Sequence, residues 1–391
     1  MKILSITAQK PHSTGSGVYL TELVKSFAEM GHKQAVIAGV YPEDTIAFPP
    51  DVAFFPVYFR SQTLPFPIAG MSDEMPYEST IYREMTDEML ERFAEAFLEA
   101  ARQAVGTFQP DIILCHHLYF LTALIRHKFP DQYIAAICHG TGLRQLQKHS
   151  LRQNFILEHL QSLDQVFALH ASQKEAIQKI CGIGSQKISV IGTGYNSAIF
   201  RELGLPRKPA VIFAGKLAEK KGVMSLLRAV RQIKTPFPLE LAGGAGNEQE
   251  LLEIQQLAKA CRHPVDFLGR LDQPRLAEAF NQCTLFVLPS FYEGLPLVIL
   301  EAMACGLNVV CTDIPGVKTW LDNSIPNHNV RFVPLPEMRN ADEPKPESLP
   351  AFETALAREI ETCLSGSNSP SFDLQHLSWN GVCARILQSI P

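Results

Sequence analysis

The sequence predicts an α/β protein of two doubly wound, Rossmann-like domains, and three observations carry that prediction. At 391 residues the chain is too long for one ordinary core and divides naturally into two of about 150 to 200 residues. Short apolar runs of strand length alternate with amphipathic helical stretches, the pattern of parallel strands joined by crossover helices. The alternation pauses once, in a polar, proline-containing stretch at 196–209, and then restarts. Two successive arrays therefore meet near residue 200.

Taken in order, KILSIT (2–7) reads as the first strand, VYLTELVKSFAEM (18–30) as an amphipathic helix ended by Gly31, and KQAVIAG (33–39) as the second strand. Residues 41–79 break the pattern with seven prolines and the aromatics Phe54, Phe55, Tyr58, Phe59, Phe66 and Tyr77. They read as a long irregular insertion, kept ordered over a ligand cleft by its aromatics. TDEMLERFAEAFLEAARQAV (86–105) is a long helix whose Met89, Phe93, Phe97 and Ala101 recur every fourth residue, as core packing requires. Strands follow at DIILC (111–115), YIAAIC (133–138), QVFAL (165–169) and ISVIG (188–192). Ser172 with Glu175 forms a capping box for the helix between the last two. The second array runs through AVIFAG (210–215), LELAGG (239–244), VDFLG (265–269), TLFVL (284–288) and LNVVC (307–311). The tail from 372 to 390 is helical around Trp379.

Composition narrows the function. A net charge of −5, from 35 basic and 40 acidic residues, offers no basic excess to a nucleic-acid backbone. Hydrophobic residues at 46% and charged residues at 19% make an ordinary globular balance. Nine cysteines with no paired C-x-x-C spacing argue for reduced, buried thiols in a cytoplasmic setting, and against disulfides or a zinc site. The start, MKILSITAQK, turns polar too soon for a signal peptide, and no apolar run reaches about eighteen residues. No membrane span is expected, and peripheral membrane contact stays open.

The most informative segment is PSFYEGLPLVILEAMACGLNVV (289–310). The apolar run before it is a strand buried on both faces, and Glu293 falls in the loop at its carboxyl end. Gly294 lets the backbone approach a ligand, Leu295 follows, and Pro296 suits the first turn of a helix, predicted over 296–305 and closed by Gly306. A helix N-terminus at that position favours an anion such as phosphate. Two carboxylates beside it would repel phosphate but accept well from vicinal hydroxyls. An anion site flanked by two hydroxyl acceptors describes a sugar nucleotide: diphosphate at the helix end, ribose on one side, transferred sugar on the other. Glu301 sits among Val298, Ile299, Leu300 and Ala302, where an acid needs a partner.

This segment resembles the signature of two glutamates separated by seven residues in the retaining GT-B glycosyltransferases of family four. The resemblance implies two Rossmann-like domains facing across a cleft. The first would hold 1–200 together with 372–391, the tail crossing back to it, and the second 201–371. It further implies that Glu293 contacts the donor sugar and Glu301 the ribose, with Gly294, Leu295 and Pro296 beside the donor.

Other positions match more loosely. The loop holding Gly15 and Gly17 opens a helix where a dinucleotide fold has its phosphate loop, but Leu20 stands in place of the third glycine, which undercuts a dehydrogenase. In the family a similar loop faces the donor diphosphate. Lys216 and Lys221 correspond to a basic pair gripping that diphosphate, with Lys216 where arginine is more usual, a point charge in place of a bidentate fork. His139, in a His-Gly-Thr segment, corresponds to the histidine that meets the reacting sugar. His116 and Arg144 are candidates for the acceptor side. Gly243, in AGGAGNE, would help hold the donor, and Gly269 and Arg270 stand where family enzymes hold the base with backbone groups, UDP being expected by family habit with GDP and ADP open.

Cleavage of a glycosyl phosphate leaves negative charge on the departing diphosphate, which fixed cations stabilise. No two aspartates here are two residues apart, so no Asp-x-Asp pair offers a metal, and Lys216 and Lys221 are expected to serve instead. The expected function is metal-independent, retaining transfer of a sugar from a nucleotide donor to an acceptor hydroxyl on a metabolite, lipid or glycan. No cofactor is expected. The rival readings are a phosphorylase on the same scaffold, which needs no ribose contact at Glu301, and a non-catalytic subunit that binds sugar nucleotide.

Overall fold

The computed structural model describes residues 1–73, 75–340, 342–366 and 372–390. The chain forms two compact units, one of Met1–Gly194 with Trp379–Pro391 and one of Tyr195–Ser378.

The first unit holds strands β1 (Lys2–Thr7), β2 (Lys33–Val40), β3 (Ala53–Tyr58), β4 (Ala69–Gly70), β5 (Thr80–Ile81), β6 (Ile112–His116), β7 (Ile134–Ile137), β8 (Gln165–Ala168) and β9 (Ile188–Val190). Its helices are α1 (Gly15–Glu29), α2 (Asp87–Phe108), α3 (Phe120–Lys128), α4 (Thr141–Lys148), α5 (Gln153–Gln161) and α6 (Ala171–Cys181). Seven strands make one sheet in the order β3-β2-β1-β6-β7-β8-β9, and all its pairs are parallel. Winding reverses between β1 and β6, so ligands are expected beyond the carboxyl ends of those two strands. Every residue of β6, β7 and β8 is buried, which is why these strands read as unbroken apolar runs.

The second unit adds β10 (Val211–Ala214), β11 (Leu239–Ala242), β12 (Val265–Gly269), β13 (Leu285–Leu288), β14 (Asn308–Thr312) and β15 (Arg331–Val333). Between them run α7 (Val223–Val230), α8 (Glu248–Lys259), α9 (Gln273–Gln282), α10 (Leu297–Ala304) and α11 (Val317–Ser324), followed by α12 (Leu349–Ser365). The six-stranded order is β12-β11-β10-β13-β14-β15, again parallel, with its reversal between β10 and β13. The α/β expectation of two doubly wound domains is met.

Three expectations are corrected. Residues 41–79 are not irregular throughout: β3 pairs with β2 over six residues, with Pro56 opposite Ala38. Only an edge strand tolerates a proline that cannot donate to the ladder, and β3 is the edge. Of the aromatics, Phe59 is fully buried against Phe66, Phe93 and Phe97, whereas Tyr58 is 48% exposed. The cap of α6 is His170, whose Nδ1 accepts from the Gln173 N–H at 3.2 Å, while Gln173 Oε1 accepts from the Leu169 N–H at 2.7 Å. The cap lies two residues upstream of Ser172 and is built from an imidazole, with the N3 glutamine reaching back one residue beyond the N-cap, a variation on the capping box. Finally, α10 begins at Leu297, with Pro296 as its N-cap, one position later than expected.

The final helix, α13 (Trp379–Gln388), belongs to the first unit. The Trp379 ring meets Tyr19 edge-on at 4.8 Å, and Arg385 Nε donates to the Ile191 carbonyl at 2.8 Å. The units part at 194–195 and 378–379, against the expected 200–201 and 371–372. All nine cysteines are free, and burial pushes the thiols of Cys115, Cys138, Cys181 and Cys305 up to about 12, leaving them unreactive.

Candidate functional site

In the second unit the loops beyond β10, β11 and β12 are laced by backbone hydrogen bonds. The Gly215 N–H donates to the Ala242 carbonyl at 2.9 Å, Leu217 to Gly244 at 3.0 Å, and Gly243 to Gly269 at 2.7 Å. Gly222 lies in the left-handed region at φ 70, and a Cβ there would stand 2.0 Å from the Pro289 carbonyl oxygen. Only glycine lets the β10 loop approach the end of β13 so closely. The Phe291 N–H donates to the Lys220 carbonyl at 3.1 Å and joins the same two loops.

This approach brings Lys221 and Glu293 together across the reversal of the sheet. Lys221 Nζ stands 2.6 Å from Glu293 Oε1, and the same oxygen accepts from Ser290 Oγ at 2.8 Å. Lys221 is 24% and Glu293 16% exposed, so the pair is sheltered yet reachable. The Lys216 side chain crosses Gly246, where a Cβ would lie 2.4 Å from its Nζ, and Arg270 lies over Gly244, with Nε 2.6 Å from a would-be Cβ. Both cations therefore converge on the AGGAGNE loop that carries Gly243. Glu301 is buried within α10, one turn in. The Gly306 N–H donates to the Met303 carbonyl and Leu307 to Ala302, a Schellman closure with Gly306 at φ 76. Arg207 then donates to the carbonyls of Cys305 (2.5 Å), Gly306 and Cys283 (both 3.2 Å), which pins the helix that carries Glu301.

In the first unit three histidines gather beyond β6 and β7. His116 Nδ1 lies 3.0 Å from His139 Nε2, with the rings stacked at 5.2 Å and 12°. The His117 ring stands 4.8 Å from that of His139, and His117 Nδ1 is 3.1 Å from Thr141 Oγ1. Tyr19 meets His139 edge-on at 5.1 Å and donates its hydroxyl to the Gly192 carbonyl at 2.9 Å. Burial holds His116 and His117 down to about 3, with His117 adding to the shift of His116. Burial, with His117 and His116 beside it, holds His139 well below the usual range. All three imidazoles are neutral at pH 7.

The remaining first-unit candidates have partners of their own. The Gly17 N–H is engaged by Thr14 Oγ1 at 3.0 Å as the N-terminal cap of α1, and a Cβ on Gly17 would meet the Lys10 carbonyl oxygen at 2.7 Å. Gly15 faces open space. Arg144, on α4 and buried, reaches Ser72 Oγ at 2.5 Å with Nη2, toward the segment between β4 and β5. Sequence reasoning singled out neither Ser290 nor Tyr19, and of the adjacent His116 and His117 beyond the sixth strand it chose His116 alone. A serine three residues before Glu293 was a usable signal; the left-handed turn at His117, φ 73, left none. Among the described residues no group of three or more His, Cys, Asp or Glu side chains is arranged to hold a metal ion, and no helix is long and apolar enough to cross a membrane.

Two parallel, doubly wound units in one chain make the GT-B architecture. The chain belongs to the group 1, family 4 glycosyltransferases: residues 13–198 match Glycosyltransferase Family 4 and residues 208–334 match Glycosyl transferases group 1. The first match takes in the three histidines and the second Lys216, Lys221, Glu293 and Glu301. An uncharacterised glycosyltransferase of Methanocaldococcus jannaschii is 28% identical over 243 residues, 56% of this chain and 62% of that one. The alpha-maltose-1-phosphate synthase of Mycobacterium tuberculosis is 30% identical over 157 residues, 39% of this chain and 41% of that one. The chain thus spans less than two thirds of these curated relatives. Among solved structures, sucrose-phosphate synthase from Thermosynechococcus elongatus superposes with a TM-score of 0.69 at 20% identity, covering 99% of this chain and 98% of that one. Anabaena HepE, in complex with UDP and glucose, gives 0.65 at 16%, covering 100% and 99%. At these identities the likeness establishes the fold.

Proposed function

We propose that this chain is a retaining glycosyltransferase that moves a sugar from a nucleotide-diphosphate donor, a UDP-sugar first among them, to an acceptor hydroxyl without a metal ion. The observation that carries the reading is the meeting of Lys221 with Glu293 at 2.6 Å where the second sheet reverses. As the bond from anomeric carbon to phosphate oxygen breaks, negative charge grows on the diphosphate, and Lys216 and Lys221 stabilise it in place of a metal. Glu293, held by Lys221 and Ser290, accepts from hydroxyls of the transferred sugar, and Glu301 accepts from the ribose. Gly294, Leu295 and Pro296 bring the start of α10 to the phosphates. Gly243, Gly269 and Arg270 serve the nucleotide end, Gly15 and Gly17 the diphosphate, and His139 the sugar. His116 and Arg144 act on the acceptor. The acceptor oxygen bonds to the anomeric carbon on the face the phosphate leaves, and its proton passes to the departing phosphate oxygen. A double displacement would need a carboxylate nucleophile at the anomeric carbon, and Glu293, the candidate for it, already serves the sugar hydroxyls.

UDP in Anabaena HepE supports the choice of base, and ADP in the starch synthase IV of Arabidopsis thaliana names the competitor. Nine free cysteines support a reducing, cytoplasmic setting. The test is thermal stabilisation of the chain by UDP-, GDP- and ADP-sugars with and without EDTA, since a ligand bound only by the native state raises stability by mass action. A shift with UDP-sugars that survives EDTA is expected, and Glu301→Ala should weaken it by roughly ten- to a hundredfold in affinity, the worth of hydrogen bonds to a charged group. Unchanged affinity in that variant would remove the ribose assignment. A shift with no transfer to any acceptor would point to a non-catalytic subunit, and no shift with any nucleotide to a phosphorylase.

A further inference from the structure

Lys221 stands in a three-residue 3-10 turn, Glu219–Lys221, on the way from β10 to α7. The far end of that turn is fixed by the close approach of Gly222 to Pro289 and by the Phe291 N–H on the Lys220 carbonyl. Its near end lacks a side-chain cap of its own, because the N-cap residue is Ala218, and alanine is among the poorest caps. The first N–H groups of such a turn have no partner inside it. The cap comes instead from 31 residues further along the chain. Glu250, in the first turn of α8, accepts from the Glu219 N–H through Oε1 at 2.5 Å.

Glu250 turns away from its own helix to do this. Asn247 caps α8, its Oδ1 accepting from the Glu250 N–H at 2.7 Å. The spacing from Asn247 to Glu250 is that of a capping box, in which the glutamate would reach back to the N-cap N–H. Here the carboxylate goes to the Glu219 N–H. Its Oε2 is buried and has no hydrogen-bond partner among the described residues. A buried oxygen left unpaired has a cost, so the turn away from the capping box is not explained by the comfort of Glu250 itself. The backbone ties the same two loops together only as far as Leu217, whose N–H donates to the Gly244 carbonyl at 3.0 Å and which bridges Ala245. Glu250 extends that tie to the first residue of the turn.

We infer that Glu250 is a positioning residue for Lys221: by capping the Glu219–Lys221 turn it sets where the Lys221 amine stands against Glu293. With both ends of the turn held, the lysine side chain leaves from a fixed backbone, and less ordering remains to be done when a diphosphate arrives. Without the cap, the meeting of Lys221 and Glu293 at 2.6 Å depends on a flexible four-carbon stem rising from a turn held at one end. A charge-assisted hydrogen bond to a backbone N–H is among the stronger ones available for this purpose. Glu250 itself needs no contact with the donor. Its part in transfer rests on the glycosyltransferase reading, whereas its placement of Lys221 does not.

The full chain is compared with Glu250→Ala and Glu250→Gln, each checked for a native fold by near-ultraviolet circular dichroism. Acetylation by acetic anhydride, read lysine by lysine with tandem mass spectrometry, follows Lys221 without any donor. In Glu250→Ala, Lys221 should be labelled roughly threefold faster or more, while Lys318 on α11, paired with Asp322, keeps its rate. Glu250→Gln retains an oxygen that accepts the Glu219 N–H and should return Lys221 to the rate of the unaltered chain. With a saturating UDP-sugar, the initial rate should fall roughly fivefold or more in Glu250→Ala and recover in Glu250→Gln. Added to Lys221→Ala, Glu250→Ala should lower the rate no further, because a residue that acts through another has no effect once that other is gone. Unchanged labelling of Lys221, a glutamine variant as impaired as the alanine variant, or a full extra loss in the Lys221→Ala background would each overturn the proposal. Faster labelling of Lys318 together with Lys221 would show the whole unit loosening and overturn it as well. Faster labelling of Lys221 alone, in a chain that turns over no nucleotide sugar, would sink the transferase reading and leave the placement of Lys221 by Glu250 standing.

Discussion

The two units place their candidate groups at the same point of the same topology, beyond the reversal of a doubly wound sheet, and fill it with opposite chemistry. The second unit gathers charge around the β10, β11 and β13 loops: Lys221 and Glu293, half-sheltered and shared by Ser290, with Lys216 and the exposed Arg270 over the β11 loop. The first unit gathers neutral imidazoles, buried deeply enough that none takes a proton near pH 7. Topology therefore selects the position of a site and leaves its chemistry to the side chains.

The widest separation between the units should come from Lys221→Ala. Losing one fixed group that stabilises developing charge lowers turnover by about 10² to 10³-fold, read as initial rate at saturating donor, while the stability of the first unit, read by the fluorescence of Trp379, stays as it was. A matching loss in the first unit would remove the contrast.

Acid should separate them next. His116 and His117 sit at about 3 in the folded chain against an ordinary value of 6.5, so between pH 6.5 and 3 the unfolded state binds more protons than the native one. Stability is then lost as pH falls through that window, by about 1.4 kcal/mol per pH unit for each histidine. The chain has two tryptophans, Trp379 in the first unit and Trp320 in the second, so single-tryptophan variants report the units separately. Fluorescence of Trp379 should be lost at a higher pH than that of Trp320, and His117→Asn should flatten the slope for the first unit. Coincident acid transitions unaffected by the substitution would show that the histidines do not set the difference.

The smallest effect belongs to Arg207→Ala. Its guanidinium closes the carboxyl end of α10 through three carbonyls, and removing it should cost the second unit about 1 to 3 kcal/mol. The denaturation midpoint seen at Trp320 should fall and that at Trp379 should not. An unchanged midpoint at Trp320 would mean that the Schellman closure holds α10 unaided.

The architecture was largely legible from residues alone, because both sheets are parallel and their central strands are buried on both faces, and such strands announce themselves as unbroken apolar runs. The edge strand β3 escaped notice since half-buried edges alternate weakly and Pro56 argues against a ladder. The α6 cap escaped because an imidazole performs it. Of the charged site, Glu293, Glu301, Lys216 and Lys221 were each visible as ionisable residues at strand ends or in an apolar helix. Their pairing was not visible: Lys221 and Glu293 are 72 positions apart, and what joins them is the close approach of Gly222 to Pro289.

The sequence by itself determined the α/β class, the two doubly wound arrays and the residue types able to grip a sugar nucleotide, since apolar periodicity and glutamates beside a helix start are local properties of the chain. Only the tertiary structure decided which of those groups meet. Lys221 reaches Glu293 because β10 and β13 are neighbours, and His116, His117 and His139 form one neutral cluster because β6 and β7 pair in register and burial removes their charge. Strand order and desolvation are properties of the packed molecule, and no run of residues read in isolation carries them.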